Sequence, residues 1–230
     1  MMLAQNFNPE KVKFPLYSQP KLDGIRCVAK KSGLYSRNGN YLHAPQVLRD
    51  LKPLFDIHPR LVLDGELYIH GVPFNQISSK SFNDNDLEFH YFDVIKGGKF
   101  SDRFNIDFES RFVKKVKTTI VNNLEEVQSQ LDLYLSQGYE GQILRVNGKY
   151  ERKRSHNLLK HKLFKDEEFT IVSLDQNALW LVNKGVFFKA PFVNPSKDLV
   201  GKSATIKYFE MNNGIPRFPS VIKVNRENHE

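Results

Sequence analysis

Short β-forming runs, Arg26-Cys27-Val28-Ala29 and Leu34-Tyr35-Ser36, flank Lys31-Ser32-Gly33, and Asn38-Gly39 follows. That order predicts a hairpin and then a second turn. The segment before Lys21 has no sustained period and reads as irregular. Pro45 followed by Val47, Leu48, Leu51 and Leu54 predicts a proline-started amphipathic helix. Leu61-Val62-Leu63 and Leu67-Tyr68-Ile69 read as strand up to Gly71, and Phe89-Tyr91-Val94 mark another. Asn123 with Glu126 three positions on has the pattern of a capping box. Leu124, Val127, Leu131 and Leu135 then repeat at helical spacing, Gly138 suits the stop, and Gln142 to Val146 return to strand.

From Glu168 the periodicity changes. Phe169 to Val172, Leu179 to Val182, Val186 to Phe188, Ala204 to Phe209 and Val221 to Val224 are short β-rich runs. Five strands in about 65 residues predict a small closed barrel such as an OB-fold. The expected division is therefore 1–162, mixing strands with helices, and 163–230, all β. The fold class is α+β.

Charge changes this picture of a plain globular chain. The 230 residues carry a formal charge of +8. Through Lys162 there are 25 basic and 18 acidic residues, and after it 9 and 8, so the excess lies in the first part. Such a balance suits a polyanionic partner, since each Lys or Arg set against a phosphate releases counterions. Cys27 is the only cysteine, which excludes an internal disulfide and a multi-cysteine zinc site. Neither a signal peptide nor a membrane span is expected. The chain reads as a cytoplasmic, monomeric protein without a membrane partner.

Candidate chemistry begins at Lys21-Leu22-Asp23-Gly24-Ile25-Arg26, which gathers an amine, a carboxylate and a guanidinium. Alone it also fits a surface turn at Asp-Gly. Ser36-Arg37-Asn38-Gly39, Leu63-Asp64-Gly65-Glu66-Leu67, Tyr91-Phe92-Asp93, Glu140 to Arg145 and Leu158-Leu159-Lys160-His161-Lys162 follow in order. Gly214 to Pro219 and Arg226-Glu227 complete the set. Together they resemble the signature motifs of covalent nucleotidyltransferases, the superfamily of DNA ligases, RNA ligases and mRNA capping enzymes. The final segment is similar to that of ATP-dependent DNA ligases.

The resemblance implies an adenylation domain of antiparallel sheets and packed helices. It makes Lys21 the nucleophile that attacks the ATP α-phosphate and carries AMP. A lysine amine is almost wholly protonated at pH 7, so Lys160, Lys162 and magnesium, with manganese as a substitute, are expected to favour the free amine and neutralise the phosphate. Glu66 would bind the ribose, and Glu140, with Asp23, the metal. Each of the two glutamates could instead form a surface ion pair, and Asp23 could cap its turn. Phe92 would lie against adenine, with core packing as its alternative. Arg26 and Arg37 fit contacts to the adenylate and to the nick 5′-phosphate. Lys149, Arg152, Lys153 and Arg154, with Arg217, would track the DNA backbone, although a solvated charge run gives the same pattern. Arg226 matches the arginine of the last motif, which departs from the family pattern at Asn228.

The expected partner is nicked duplex DNA. An mRNA capping guanylyltransferase would share the lysine chemistry, but Ser36 to Gly39 and Pro216 to Pro219 favour the DNA ligase. RNA ligase fits less well because Asp23-Gly24 and Arg26 are kept, and NAD-dependent ligase lacks its cysteines. A non-catalytic OB-fold protein would explain the barrel and the charge but not the ordered motifs.

Overall fold

The computed structural model describes residues 1–72, 74–79, 86–209 and 211–224, and the chain divides into two compact units, Met1–His161 and Lys162–Glu230. Among the described residues the first unit holds two large sheets. One runs edge to edge through Tyr41–Leu42, Gly33–Ser36, Ile25–Lys30, Val62–Tyr68, Glu88–Val94 and Val113–Lys115. Its last pair is parallel and the rest antiparallel. The other runs through Leu3–Asn6, Arg154–His161, Gly141–Arg145, Leu16–Lys21 and Thr119–Val121, with only its first pair parallel.

One sequence expectation changes here. The segment before Lys21 is not irregular, because Leu3–Asn6 and Leu16–Lys21 are both strands. Their hydrogen-bonding partners come from residues 119–121 and 141–161, so no local period announces them. The strand expected through Leu61 to Ile69 is present as Val62–Tyr68. Asp64 does not interrupt it, since the carboxylate is buried against Arg26 and satisfied there.

The helix Pro45–Ile57 starts at its proline and buries Val47, Leu51, Leu54 and Phe55. In the helix Leu124–Ser136, the Asn123 side chain accepts the Glu126 N–H at 2.8 Å. Glu126 returns to the N–H of Asn122 at 2.9 Å, one residue earlier than in a regular capping box. The buried face is Val127, Leu131 and Tyr134, whereas Leu124 is 47% exposed.

In the second unit the sheet order is Val186–Pro191, Ala178–Asn183, Lys165–Asp175, Ser203–Tyr208 and Ser220–Val224. Period-two alternation builds its core, with Phe169 and Ile171, Leu179 and Leu181, Phe188 and Ala190, and Ala204, Ile206 and Tyr208 all inward. Lys184 and Gly185 join two strands with φ of 46° and 85°, the left-handed pair that a two-residue hairpin needs. Met211–Asn212 and Ile215–Pro216 form a further small hairpin.

The two sheets of the first unit meet around one buried carboxylate. Asp93, from Glu88–Val94, accepts Arg103 Nε at 2.6 Å and Nη2 at 3.1 Å. It also accepts Arg145 Nη1 at 2.6 Å, from Gly141–Arg145 in the other sheet. Arg145 Nε donates to Gln19 Oε1 at 2.6 Å, and Gln19 Nε2 donates to the Phe92 carbonyl at 3.2 Å. Arg103 further donates to the Gly98 and Gly148 carbonyls. One acid is thus shared by two cations, and all three side chains are at most 3% exposed. Removing one partner of a buried ion group leaves uncompensated charge. Asp93→Asn is therefore expected to lower the unfolding free energy by about 3–5 kcal/mol, measured by urea unfolding. A loss below about 1 kcal/mol would mean a contact no stronger than a surface pair.

Candidate active site

Lys21 ends the strand Leu16–Lys21 and lies opposite Gly141 in the ladder. The Glu140 N–H donates to the Lys21 carbonyl at 3.1 Å. This register brings the Glu140 carboxylate directly onto Lys21 Nζ as an ion pair. The acid is buried, while the lysine side chain stays 21% exposed. An amine at a strand end therefore faces open space with a fixed acceptor behind it.

Beyond Lys21 the chain passes tightly beside Val62–Tyr68. A Cβ on Gly24 would stand 2.3 Å from the Leu67 carbonyl oxygen, so this position admits only glycine. The Gly24 N–H donates to Glu66 Oε1 at 2.8 Å. Burial pushes the Glu66 carboxyl up to about 7, against the opposing effects of Lys21 and Arg26. Arg26 pairs with Glu66 in the ladder and turns its guanidinium to Asp64, with Nε at 2.8 Å and Nη2 at 2.7 Å. Burial works against that cation, yet Asp64 outweighs it and holds the pKa above the ordinary value. The guanidinium carbon lies 4.4 Å from the centroid of the Phe92 ring, within cation–π range.

These groups surround one cavity of two characters. Phe92, Leu22, Ile143, Leu158 and Met2 give an apolar wall. Lys21, Arg26, Arg145 and Lys160 give a cationic one, with Glu66 as the lining carboxylate. An aromatic plane beside several cations suits a flat base joined to a polyanion.

Of the residues anticipated from sequence, Lys21, Arg26, Glu66, Phe92 and Lys160 line this cavity. Glu140 stands behind Lys21, and Asp23 sits two residues further on, partly buried. Arg37 is exposed in the turn after Gly33–Ser36. Lys162 falls in the second unit, where its amine lies 4.4 Å from the Phe209 ring and 5.3 Å from that of Phe218. Arg217 also approaches Phe218, at 5.4 Å. Lys149, Arg152 and Lys153 are exposed, and Lys153 pairs with Glu151 at 3.6 Å. Arg154 is exposed as well, and its Nη1 donates to the Ala4 carbonyl at 2.6 Å. Arg226 lies outside the described residues.

Sequence reasoning assigned no role to Arg145, Asp64 or Tyr150. The available signal was a charge inside a β-forming run, at Leu144-Arg145 and Leu63-Asp64, where burial requires a partner. Tyr150, in a stretch of charges, gave none.

Among the described residues no group of three or more His, Cys, Asp or Glu side chains could enclose a metal. Glu140 and Asp23 supply carboxylate oxygens, the donor type of which magnesium takes one or two while completing its shell with water and substrate phosphates. No helix among the described residues is long and apolar enough to cross a membrane.

A family model described as the ATP dependent DNA ligase domain matches residues 1–162. The chain belongs to the ATP-dependent DNA ligase family. Among relatives of this ligase family member, the DNA ligase of African swine fever virus (isolate Tick/South Africa/Pretoriuskop Pr4/1996) is 30% identical over 86% of this chain. The chain spans about 60% of the length of that viral ligase. A solved structure of a Lig E DNA ligase covers 98% of both chains with a TM-score of 0.82 at 24% identity, a likeness of fold. The Chlorella virus DNA ligase-adenylate structure covers 99% of this chain and 98% of its own, with a TM-score of 0.60 and 28% identity.

Folding raises Glu66 from an ordinary 4.5 to about 7, so between those values the native state holds the extra proton. The stability this contributes is complete below the lower value and is lost as pH rises through the higher one. Wild type is therefore expected to lose stability relative to Glu66→Gln between about pH 5 and pH 8, measured by urea unfolding at both. Parallel curves would show that Glu66 is ionised throughout.

Proposed function

We propose that the chain is an ATP-dependent DNA ligase that seals 5′-phosphate/3′-hydroxyl nicks in duplex DNA through AMP carried on Lys21. The observation that carries this reading is the cavity of the first unit, which places a partly exposed lysine amine between an aromatic apolar wall and a cationic one. Family membership supplies the reaction class.

In the first step the Lys21 Nζ lone pair forms a bond to the ATP α-phosphorus. The bond from that phosphorus to the bridging oxygen breaks, pyrophosphate leaves with the electron pair, and the amine proton goes to solvent. Arg26 and Lys160 would neutralise the phosphate oxygens as charge shifts. Phe92 would carry the base on its ring, and Glu66 would accept from the ribose hydroxyls. Glu140 and Asp23 would hold magnesium, which when bound supplies positive charge against the phosphates. AMP then passes to the 5′-phosphate of the nick, and the 3′-hydroxyl displaces it as the new phosphodiester forms.

We read residues 1–162 as an adenylation domain of α+β class and 163–230 as an OB-fold. The alternating inward residues of four successive strands, in a five-stranded antiparallel sheet, support the second. Exposed Lys149, Arg152, Lys153 and Arg154, with Arg37, are the groups best placed to meet a DNA backbone. Arg217 of the second unit is a further candidate.

The test is incubation with ATP labelled at the α-phosphate or the γ-phosphate, denaturing electrophoresis, and then addition of a nicked duplex. Only the α-label is expected to stay on the protein, and nicked DNA should discharge it as sealed product appears. Lys21→Ala is expected to abolish both labelling and sealing. Lys21→Arg should abolish them too, because a guanidinium keeps its proton and cannot attack phosphorus. Sealing by Lys21→Ala, or labelling from GTP in preference to ATP, would contradict the reading.

A further inference from the structure

Tyr150 stands between the strands Gly141–Arg145 and Arg154–His161, outside every group to which the proposed reaction assigns a role. Its hydroxyl donates to Asp64 Oδ2 at 2.6 Å and accepts the Met2 N–H at 2.9 Å. Asp64 holds Arg26 through Nε and Nη2, and Arg26 Nη2 reaches the Met2 carbonyl at 3.5 Å. Tyr150, Asp64, Arg26 and Met2 therefore close a ring of hydrogen bonds behind the cavity wall. Among the described residues Nη1 of Arg26 makes no hydrogen bond, so one edge of the guanidinium remains for whatever enters the cavity that Arg26 lines.

The parts of this ring are unequal in freedom. Asp64 is buried on the strand Val62–Tyr68, with its side chain 1% exposed, whereas the Arg26 side chain is 28% exposed and long. A bidentate pair fixes the plane of the guanidinium relative to the carboxylate. The carboxylate itself can still turn about its own bond unless a third group fixes it. The Tyr150 hydroxyl is that third group. Burial, and then the Asp64 charge, push the phenol pKa above its ordinary value, so the hydroxyl stays a donor across the physiological range. The ring is itself held, with the Arg103 guanidinium 5.7 Å from its centroid, which links it to the Asp93 cluster.

We propose that Tyr150 is a positioning residue that acts through Asp64, fixing Arg26 so that its free Nη1 edge faces a bound nucleotide. This rests on the proposed use of the cavity for ATP. A ligand held by a pre-set guanidinium does not have to order it on binding. Loss of the hydroxyl then weakens nucleotide capture more than it slows the chemical step.

The test compares wild type, Tyr150→Phe, Arg26→Lys and the double variant in self-adenylylation. Tyr150→Phe keeps the ring and removes only the hydroxyl. It is expected to raise KM for ATP about three- to tenfold, with kcat within about twofold. In the Arg26→Lys background, which keeps a cation for Asp64 but lacks the Nη1 edge, the same change is expected to alter KM by less than about 1.5-fold. An equal rise in both backgrounds, or no rise in either, would overturn the proposal. Calorimetric titration of the four full chains with α,β-methylene ATP reads the same comparison as Kd. If wild type takes no label, the functional reading has failed, and the titration still decides the role of Tyr150. Thermal melting of each variant separates a lost contact from a lost fold, since a KM effect through Arg26 requires the Tyr150→Phe melt to stay near wild type.

Discussion

One buried acid shared by two arginines governs the geometry of the first unit. Asp93 belongs to one sheet and Arg145 to the other, so the contact that satisfies the acid also fixes how the sheets face each other. An apolar contact could slide with little change in energy. A carboxylate between two guanidinium groups at 2.6–3.1 Å cannot, because displacement strands buried charge. The cavity lies at this junction. Phe92 adjoins Asp93 and Lys21 follows Gln19 by two positions, so the clamp sets the distance between the aromatic wall and the amine.

The chemistry of the cavity follows from what is buried around it. Lys21 is positioned by strand register and given an acceptor in Glu140. Glu66 is held by the Gly24 amide and loses its acidity to burial. Arg26 is ionised and gripped from behind by Asp64. Lys21, Glu66 and Arg26 are thus each backed by a partner on or beside a neighbouring strand, the support that a preorganised site needs. The second unit is built by a simpler rule, inward alternation on successive strands.

The sequence was most legible where residues report on near neighbours. Pro45 and Asn123 mark their helices, Lys31-Ser32-Gly33 marks a hairpin, and Lys21, Glu66, Phe92 and Lys160 are recognisable through ordered motifs. It was least legible where an element depends on distant chain. Leu3–Asn6 is a strand only because Arg154–His161 lies beside it, and four residues cannot show a period. Tyr150 looks like part of a charged stretch until Asp64 is placed against it, and the charge of Arg145 inside a β-forming run finds its partner only in Asp93.

In the proposed reaction the Lys21 amine is the group that takes the nucleotide. Peptide mapping by mass spectrometry after incubation with ATP and magnesium, kept at alkaline pH to preserve a phosphorus–nitrogen bond, addresses it most directly. AMP is expected on the peptide containing Lys21, released by mild acid and absent without ATP. AMP on Lys160 or any other residue, or an acid-stable adduct, would contradict it.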